Sequence, residues 1–336
     1  MKEYGSDFHS MNSFQSKRTH LDDIYKDAVY LADGRMCLLS LIEHNSWKRI
    51  WLPEYFCYEV IDTIKTLSGI EIKYYLDYPG YDDTAGIGKI DFREGDVLFR
   101  VNYFGMRDKR SDTPIPVPVI EDHTHDLLGH WALYSDADWC IASLRKTLPI
   151  AEGGMMWSPK GLDLSAYAAS SSDDNEVMMA KRWRAMDMKS AFLSGEDVDK
   201  EAFRSLYMET EEWFDSAPVS GIDSRSMETI RSLDINAWYN AKRKNLEAIG
   251  GILSNELRAE DESCNLFSFV LKTNNRQEVR KSLIDSKVYS AILWNVPDTV
   301  STEVKKFSQS MLSIHCDGRY SIDDMTEIAA RIKSAL

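Results

Sequence analysis

The sequence predicts an α/β fold in which a mainly parallel sheet is covered by helices and a smaller α+β domain follows at the carboxyl end. From about Tyr30 to Trp157, short β-rich runs alternate with helical stretches, the pattern of strand and crossover helix. Several of those runs are apolar at consecutive positions, as strands buried on both faces must be. After Pro159 the pattern changes to amphipathic helices, and later to strands mixed with helices.

In chain order, the expected strands are IWLPEYF from Ile50, IEIKYYL from Ile70, DVLFRVNYF from Asp96, VPVIED from Val117, DWCIASL from Asp138 and GGMMW from Gly153. Helices are expected over Asn175 to Leu193 and Val198 to Phe214, where charges are spread between apolar positions. The turn-prone stretch SAPVSGIDS, Ser216 to Ser224, precedes a further helical segment running to about Leu257. The boundary falls there, with a large domain over 1–215 and a small one over 216–336. Strands NLFSFVL from Asn265, VYSAILW from Val288 and SMLSIHC from Ser310 alternate in the small domain with RQEVRKSLIDS and the terminal SIDDMTEIAARIKSAL. A chain of 336 residues exceeds the usual size of one core, which agrees with two domains.

Composition narrows the function classes. Forty Lys and Arg face 54 Asp and Glu, and the net charge of -14 would repel a phosphate backbone, so nucleic acid is not an expected partner. Apolar runs such as CLLSLI at Cys37 to Ile42 fall short of the roughly 20 residues of a spanning helix. The amino terminus lacks the apolar core of a secretory signal. A cytoplasmic protein without membrane insertion is expected. Five widely spaced cysteines with no C-x-x-C pair suggest neither a disulfide framework nor a zinc ribbon.

The chemistry concentrates in VIEDHTHDLLGH, Val119 to His130, and DADWCIASLRKTLPIAEGGMMW, Asp136 to Trp157. Each strand delivers polar residues at its carboxyl end, Asp122 in the first and Ser143 with Lys146 in the second. Such an acid and lysine suit a pyridoxal cofactor: the amine forms an imine, and the carboxylate keeps the pyridine nitrogen protonated. Arg145 beside the lysine reads as an ordinary surface salt bridge, or as a like charge that lowers the lysine pKa. A different chemistry is open to His123, His125, Asp126 and His130, since an H-x-H pair on one strand points both rings to one face, as in a metal-dependent hydrolase. His315 and Asp317 read as structural.

Glu121, Asp122 and His125, then Ser143 and Lys146, then Glu152, Gly153 and Gly154 resemble, in order and spacing, the motifs of the DegT-type family of fold-type-I aminotransferases, which act on nucleotide sugars. EYGSDF, LADGRMCLLSLI and LPEYFCYEVIDTI are similar to further segments of that family, as are YNAKRKNLEAI, SAILWNVP and LSIHCDGRYSIDDM near the carboxyl end. The resemblance implies pyridoxal 5'-phosphate as cofactor, Lys146 as the Schiff-base lysine and Asp122 as the pyridinium partner. It places His125 near the cofactor's 3-hydroxyl, and the phosphate on Ser143 and the backbone of Gly34 and Arg35, at a helix start suited to an anion. One of Phe56 and Tyr58 would stack on the ring.

The resemblance further implies a homodimer that transfers an amino group, with glutamate as donor, to a keto-sugar nucleotide in surface-polysaccharide or related biosynthesis. A non-sugar keto substrate is the alternative. Glu3 to Phe8 and the turn Tyr103 to Arg110, with Arg107, Lys109 and Arg110, would grip such a substrate. Two departures stand out. GIDSR places Asp223 where the family has an asparagine that reaches phosphate, and the serine-to-lysine spacing is short.

Overall fold

The computed structural model describes residues 2–11, 13–16, 18–107, 114–254 and 267–336. Lys109, Arg110 and Cys264 lie outside them.

Seven strands form the large sheet, in the spatial order Val29–Leu31, Gly154–Trp157, Trp139–Ser143, Val119–Asp122, Asp96–Val101, Arg49–Pro53 and Glu71–Tyr75. Five neighbouring strands are mutually parallel, Gly154–Trp157 runs against them, and Val29–Leu31 pairs antiparallel to Gly154–Trp157. Six of the seven therefore share one direction, as the alternating pattern predicted. Position in the sheet explains composition: all six residues of DVLFRV in a central strand are buried, whereas EIKYY at the edge is exposed at two of five positions.

The helix Gly34–His44 packs on this sheet. Asp33 caps it, accepting a hydrogen bond from Met36 N at 3.0 Å, and every residue from Gly34 to Ile42 is buried. The helices Asp173–Leu193 and Lys200–Phe214 pack on each other. The expected segment to Leu257 is instead two helices, Ser224–Ser232 and Ile235–Ile252. The break falls at Leu233 and Asp234, where Asp234 caps the second helix through Ala237 N at 2.9 Å. The strand expected over Val288 to Trp294 is only Val288–Tyr289 plus an isolated bridge at Ala291, because Leu293 and Trp294 leave to wall a cavity.

A second core gathers Leu246, Ile249, Phe269, Leu283, Leu312, Met325 and Ile328, together with Tyr4 from the opposite end of the chain. Tyr4–Gly5 pairs in parallel with Val288–Tyr289, and the Tyr4 hydroxyl reaches Glu327 at 2.6 Å. This anchor aims residues 6–8 across the molecule, where Lys189 Nζ donates to Ser6 Oγ at 2.7 Å and the Tyr207 hydroxyl to Phe8 O at 2.6 Å.

Candidate active site

A cavity of about 360 Å³ opens at the carboxyl ends of the strands that finish at Val101, Asp122 and Ser143, where open α/β sheets place ligands. Asp122, His125, Ser143, Lys146, Gly34, Arg35 and Phe56 all line it. Tyr58 does not. It opens the helix Tyr58–Leu67, stacks on Tyr74 and donates to Glu54 O at 3.2 Å, while Phe56 faces the cavity with its ring edge-on to Phe99 and Trp294.

Asp122 and Ser143 are tied through Thr124. Its amide donates to Asp122 Oδ1 at 2.8 Å, and its hydroxyl accepts from Ser143 N at 2.9 Å. Burial pushes the Asp122 carboxyl above its ordinary range. Asn102 continues the adjacent strand into the same wall. It is 1% exposed, and neither its Oδ1 nor its Nδ2 has a partner among the described residues. Asn102 falls in the expected strand DVLFRVNYF, which carries no motif of its own.

His125 is held by three rings, stacking on Phe104, Phe267 and Trp294. Phe104 adopts φ +52°, the left-handed region, and its N–H then donates to His125 Nδ1 at 2.9 Å. That bond assigns the ring proton to Nε2. Burial, with the charges of Lys242 and Lys146, lowers the His125 pKa to about 3, so the ring is neutral.

The two histidines of the H-x-H pair do not come together. The strand ends at Asp122, so the two-residue alternation that would align them stops before His123. His123 lies between Trp131 and Trp157 with Nε2 at 3.2 Å from Glu121 Oε2, away from the cavity that His125 enters. Glu121, His123 and Cys140 do bring buried ligand atoms within 4.8 Å of one another. Glu121 also accepts from Ser135 Oγ at 2.6 Å and pairs with Arg100, within a charge network running to Asp83.

The helix Gly34–His44 presents its amino end to Ser143. A Cβ on Gly34 would stand 2.9 Å from Ser143 Cβ, so only glycine allows this approach. Gly153 N donates to Ala32 O at 2.7 Å, and a Cβ on Gly154 would stand 2.1 Å from Asp33 O, which is why E-G-G must seat against this turn. The Arg35 guanidinium is engaged by Asp215 at 2.6 Å and Phe214 O at 3.2 Å, leaving its backbone toward the helix start. Free amides at a helix start, with a serine beside them, can hold a phosphate dianion.

Lys146 ends a short 3-10 turn, Leu144–Lys146, and projects into the cavity. Enclosure and the adjacent Arg145 charge lower its pKa, opposed by Glu211 at 3.6 Å. Arg145 is no surface residue: its side chain is 4% exposed, lies over the Phe214 ring and makes a two-pronged ion pair with Glu211. Arg182 and Glu211 were not visible as site residues in the sequence, since both read as polar positions of surface helices.

A second cavity of about 260 Å³ shares Arg145, Lys146, Phe267 and Leu293 with the first, and Ser6, Asp7, Phe8, Arg182 and His315 also line it. The amino-terminal segment thus reaches the lysine. Arg107 does not serve as a free cation, because Asp77 clasps it and the carbonyls of Val101, Tyr78 and Tyr81 also accept from its Nη1 and Nη2. Asp223 caps the helix Ser224–Ser232, accepting from Arg225 N and Ser226 N, and its amide bonds to Glu152, which also accepts from Asn175 Nδ2 at 2.8 Å. A carboxylate there serves the helix start.

No protein-family model and no curated protein sequence matches the chain. Solved structures do. A putative sugar aminotransferase, Spr1654 from Streptococcus pneumoniae in its PMP form, superposes with a TM-score of 0.60 at 11% identity, over 99% of this chain and 97% of that one. The sugar aminotransferase CalS13 from Micromonospora echinospora gives 0.58 at 13% identity over 100% of both chains. PseC of Helicobacter pylori, an aminotransferase of pseudoaminic acid biosynthesis, gives 0.58 at 10% identity over 99% and 98%. The chain has the fold of sugar aminotransferases. That fold-type-I architecture is what the sequence predicted, and it places the cavity, Asp122 and Lys146 at the carboxyl edge of the fold's large sheet. No helix among the described residues is long and apolar enough to cross a membrane.

Proposed function

We propose that this protein is a pyridoxal-phosphate-dependent aminotransferase that moves an amino group from an amino acid, glutamate in the simplest case, to a keto group of a nucleotide-linked sugar. The observation that carries the reading is the convergence of Lys146, Asp122 and the Gly34 helix start on one cavity. The residues fit the cofactor. The Asp122 carboxyl, raised by burial, gains from a cation held against it; the Gly34 approach forms an anion cradle; and the orphaned Asn102 amide needs a polar partner.

When bound, the cofactor supplies an electrophilic carbonyl and an electron-accepting ring. Lys146, with its pKa lowered, has an amine able to act as nucleophile and to carry the proton that leaves the amino donor's α-carbon. Asp122 would hold a proton on the ring nitrogen by electrostatics, and His125 would offer its Nε2–H as a neutral donor. Ser143 and the amides at Gly34 and Arg35 would hold the phosphate, Phe56 would pack on the ring, and Phe99, Phe267 and Trp294 supply an apolar wall.

The nucleotide-sugar reading draws support from the relatives, one of which, DesI, was solved in the presence of its TDP-sugar product. A homodimer, as the family resemblance suggests, is tested by sedimentation, and a monomer at working concentration would count against it. The substrate is tested by incubating the pyridoxamine form with a panel of keto-sugar nucleotides and simple keto acids. Return of the yellow aldehyde form with a sugar nucleotide is expected, and return only with keto acids makes it an amino-acid transaminase.

A further inference from the structure

Three cations converge on one carboxylate at the boundary between the two cavities. Arg145 Nη1 and Nη2 stand 3.0 and 2.8 Å from the two oxygens of Glu211, Arg182 Nη1 stands 3.1 Å from Oε2, and Lys146 Nζ 3.6 Å from Oε1. The arginine side chains are 4% and 6% exposed, whereas Glu211 is 43% exposed. Arg145 Nε is buried with no partner among the described residues. Asp7 adds a further carboxylate 3.9 Å from Arg182. A buried pair of guanidinium groups thus holds a carboxylate that is itself partly exposed to solvent.

We propose that Arg145 and Arg182 form a carboxylate subsite for the amino donor, and that Glu211 fills it until the donor's carboxylate takes its place. The inference rests on the aminotransferase reading. Arg145 and Lys146 line both cavities, so a donor whose amine arrives beside Lys146 brings its carboxylate to these arginines. Glu211 already holds its oxygen close to the lysine nitrogen, as an amino acid holds its own carboxylate close to its amine. Exchanging one carboxylate for another leaves neither buried arginine unpaired at any stage, which removes the main cost of opening such a site. Planar guanidinium forks select a carboxylate by two parallel hydrogen bonds.

The test is calorimetric binding of glutarate to the cofactor-loaded protein, alongside the KM for L-glutamate at fixed acceptor. Glu211→Gln removes the competing charge and should tighten glutarate about five-fold, with a matching fall in the glutamate KM and no change in the acceptor KM. Arg182→Lys, which keeps the charge but loses the fork, should weaken glutarate about ten-fold in the same pattern. Unchanged or weaker glutarate binding in a folded Glu211→Gln protein overturns the proposal, as does an effect on inorganic phosphate in place of glutarate. If Glu211→Gln does not fold, Arg182→Lys decides by the same readout. Glutarate binding needs no keto substrate, so a failed panel of sugar nucleotides would refute the acceptor and leave this subsite standing.

Discussion

Asn102 shows how a single side chain can be costly to the fold and useful to the site. A buried amide without partners costs about 1–3 kcal/mol. Asn102→Leu, of similar volume, should therefore stabilise the cofactor-free protein by roughly 1–2 kcal/mol while weakening its retention of pyridoxal phosphate. Thermal melts with and without cofactor check both halves, and a variant that loses stability without cofactor contradicts the assignment. His125 makes a different claim about the same wall. Its folded pKa of about 3 lies below the unfolded value near 6.5, so its contribution to stability is complete above about pH 6.5 and is lost as pH falls toward 3. Nitrogen NMR of the ring should show a neutral Nε2–H tautomer down to about pH 5. A titration midpoint near 6.5 would show that the ring is not enclosed as described.

At the scale of elements, the candidate active site is a meeting of strand ends with one helix start, and Gly34 is where they touch. Gly34→Ala sets a methyl against Ser143 Cβ and backbone, neither of which is the end of a flexible chain. Overpacking of this kind costs about 1–3 kcal/mol, and the displaced helix start should lower cofactor affinity as well. Urea unfolding and cofactor titration would measure the two effects. The elements themselves were legible, because consecutive apolar residues such as Val97, Leu98 and Phe99 and the E-D, S-x-x-K and E-G-G motifs mark buried strands and their carboxyl ends. Less legible were the break at Leu233 and Asp234, where an aspartate cap interrupts an otherwise continuous helical pattern, and the truncated Val288 strand. In the second case Leu293 and Trp294 obey the cavity rather than the sheet, a tertiary demand that local periodicity does not carry.

For the whole molecule, the proposed function depends on residues far apart in sequence meeting at one lysine. Tyr4 is locked into the carboxyl-terminal core, which draws Ser6, Asp7 and Phe8 to the second cavity, while Phe267 and Trp294 close the first. The cations read from the sequence as substrate contacts could not be sorted without the fold. Arg107 is spent on Asp77, whereas Arg145 and Arg182 face the site from positions that read as ordinary surface charge. The central claim is that Lys146 is the residue to which the cofactor attaches. It is tested most directly by loading the protein with pyridoxal phosphate, reducing with borohydride and mapping the modified peptide by mass spectrometry. The account predicts one stoichiometric adduct on Lys146, absent from a folded Lys146→Ala variant. Stoichiometric label on another lysine, or none on a protein that binds the cofactor, would contradict it.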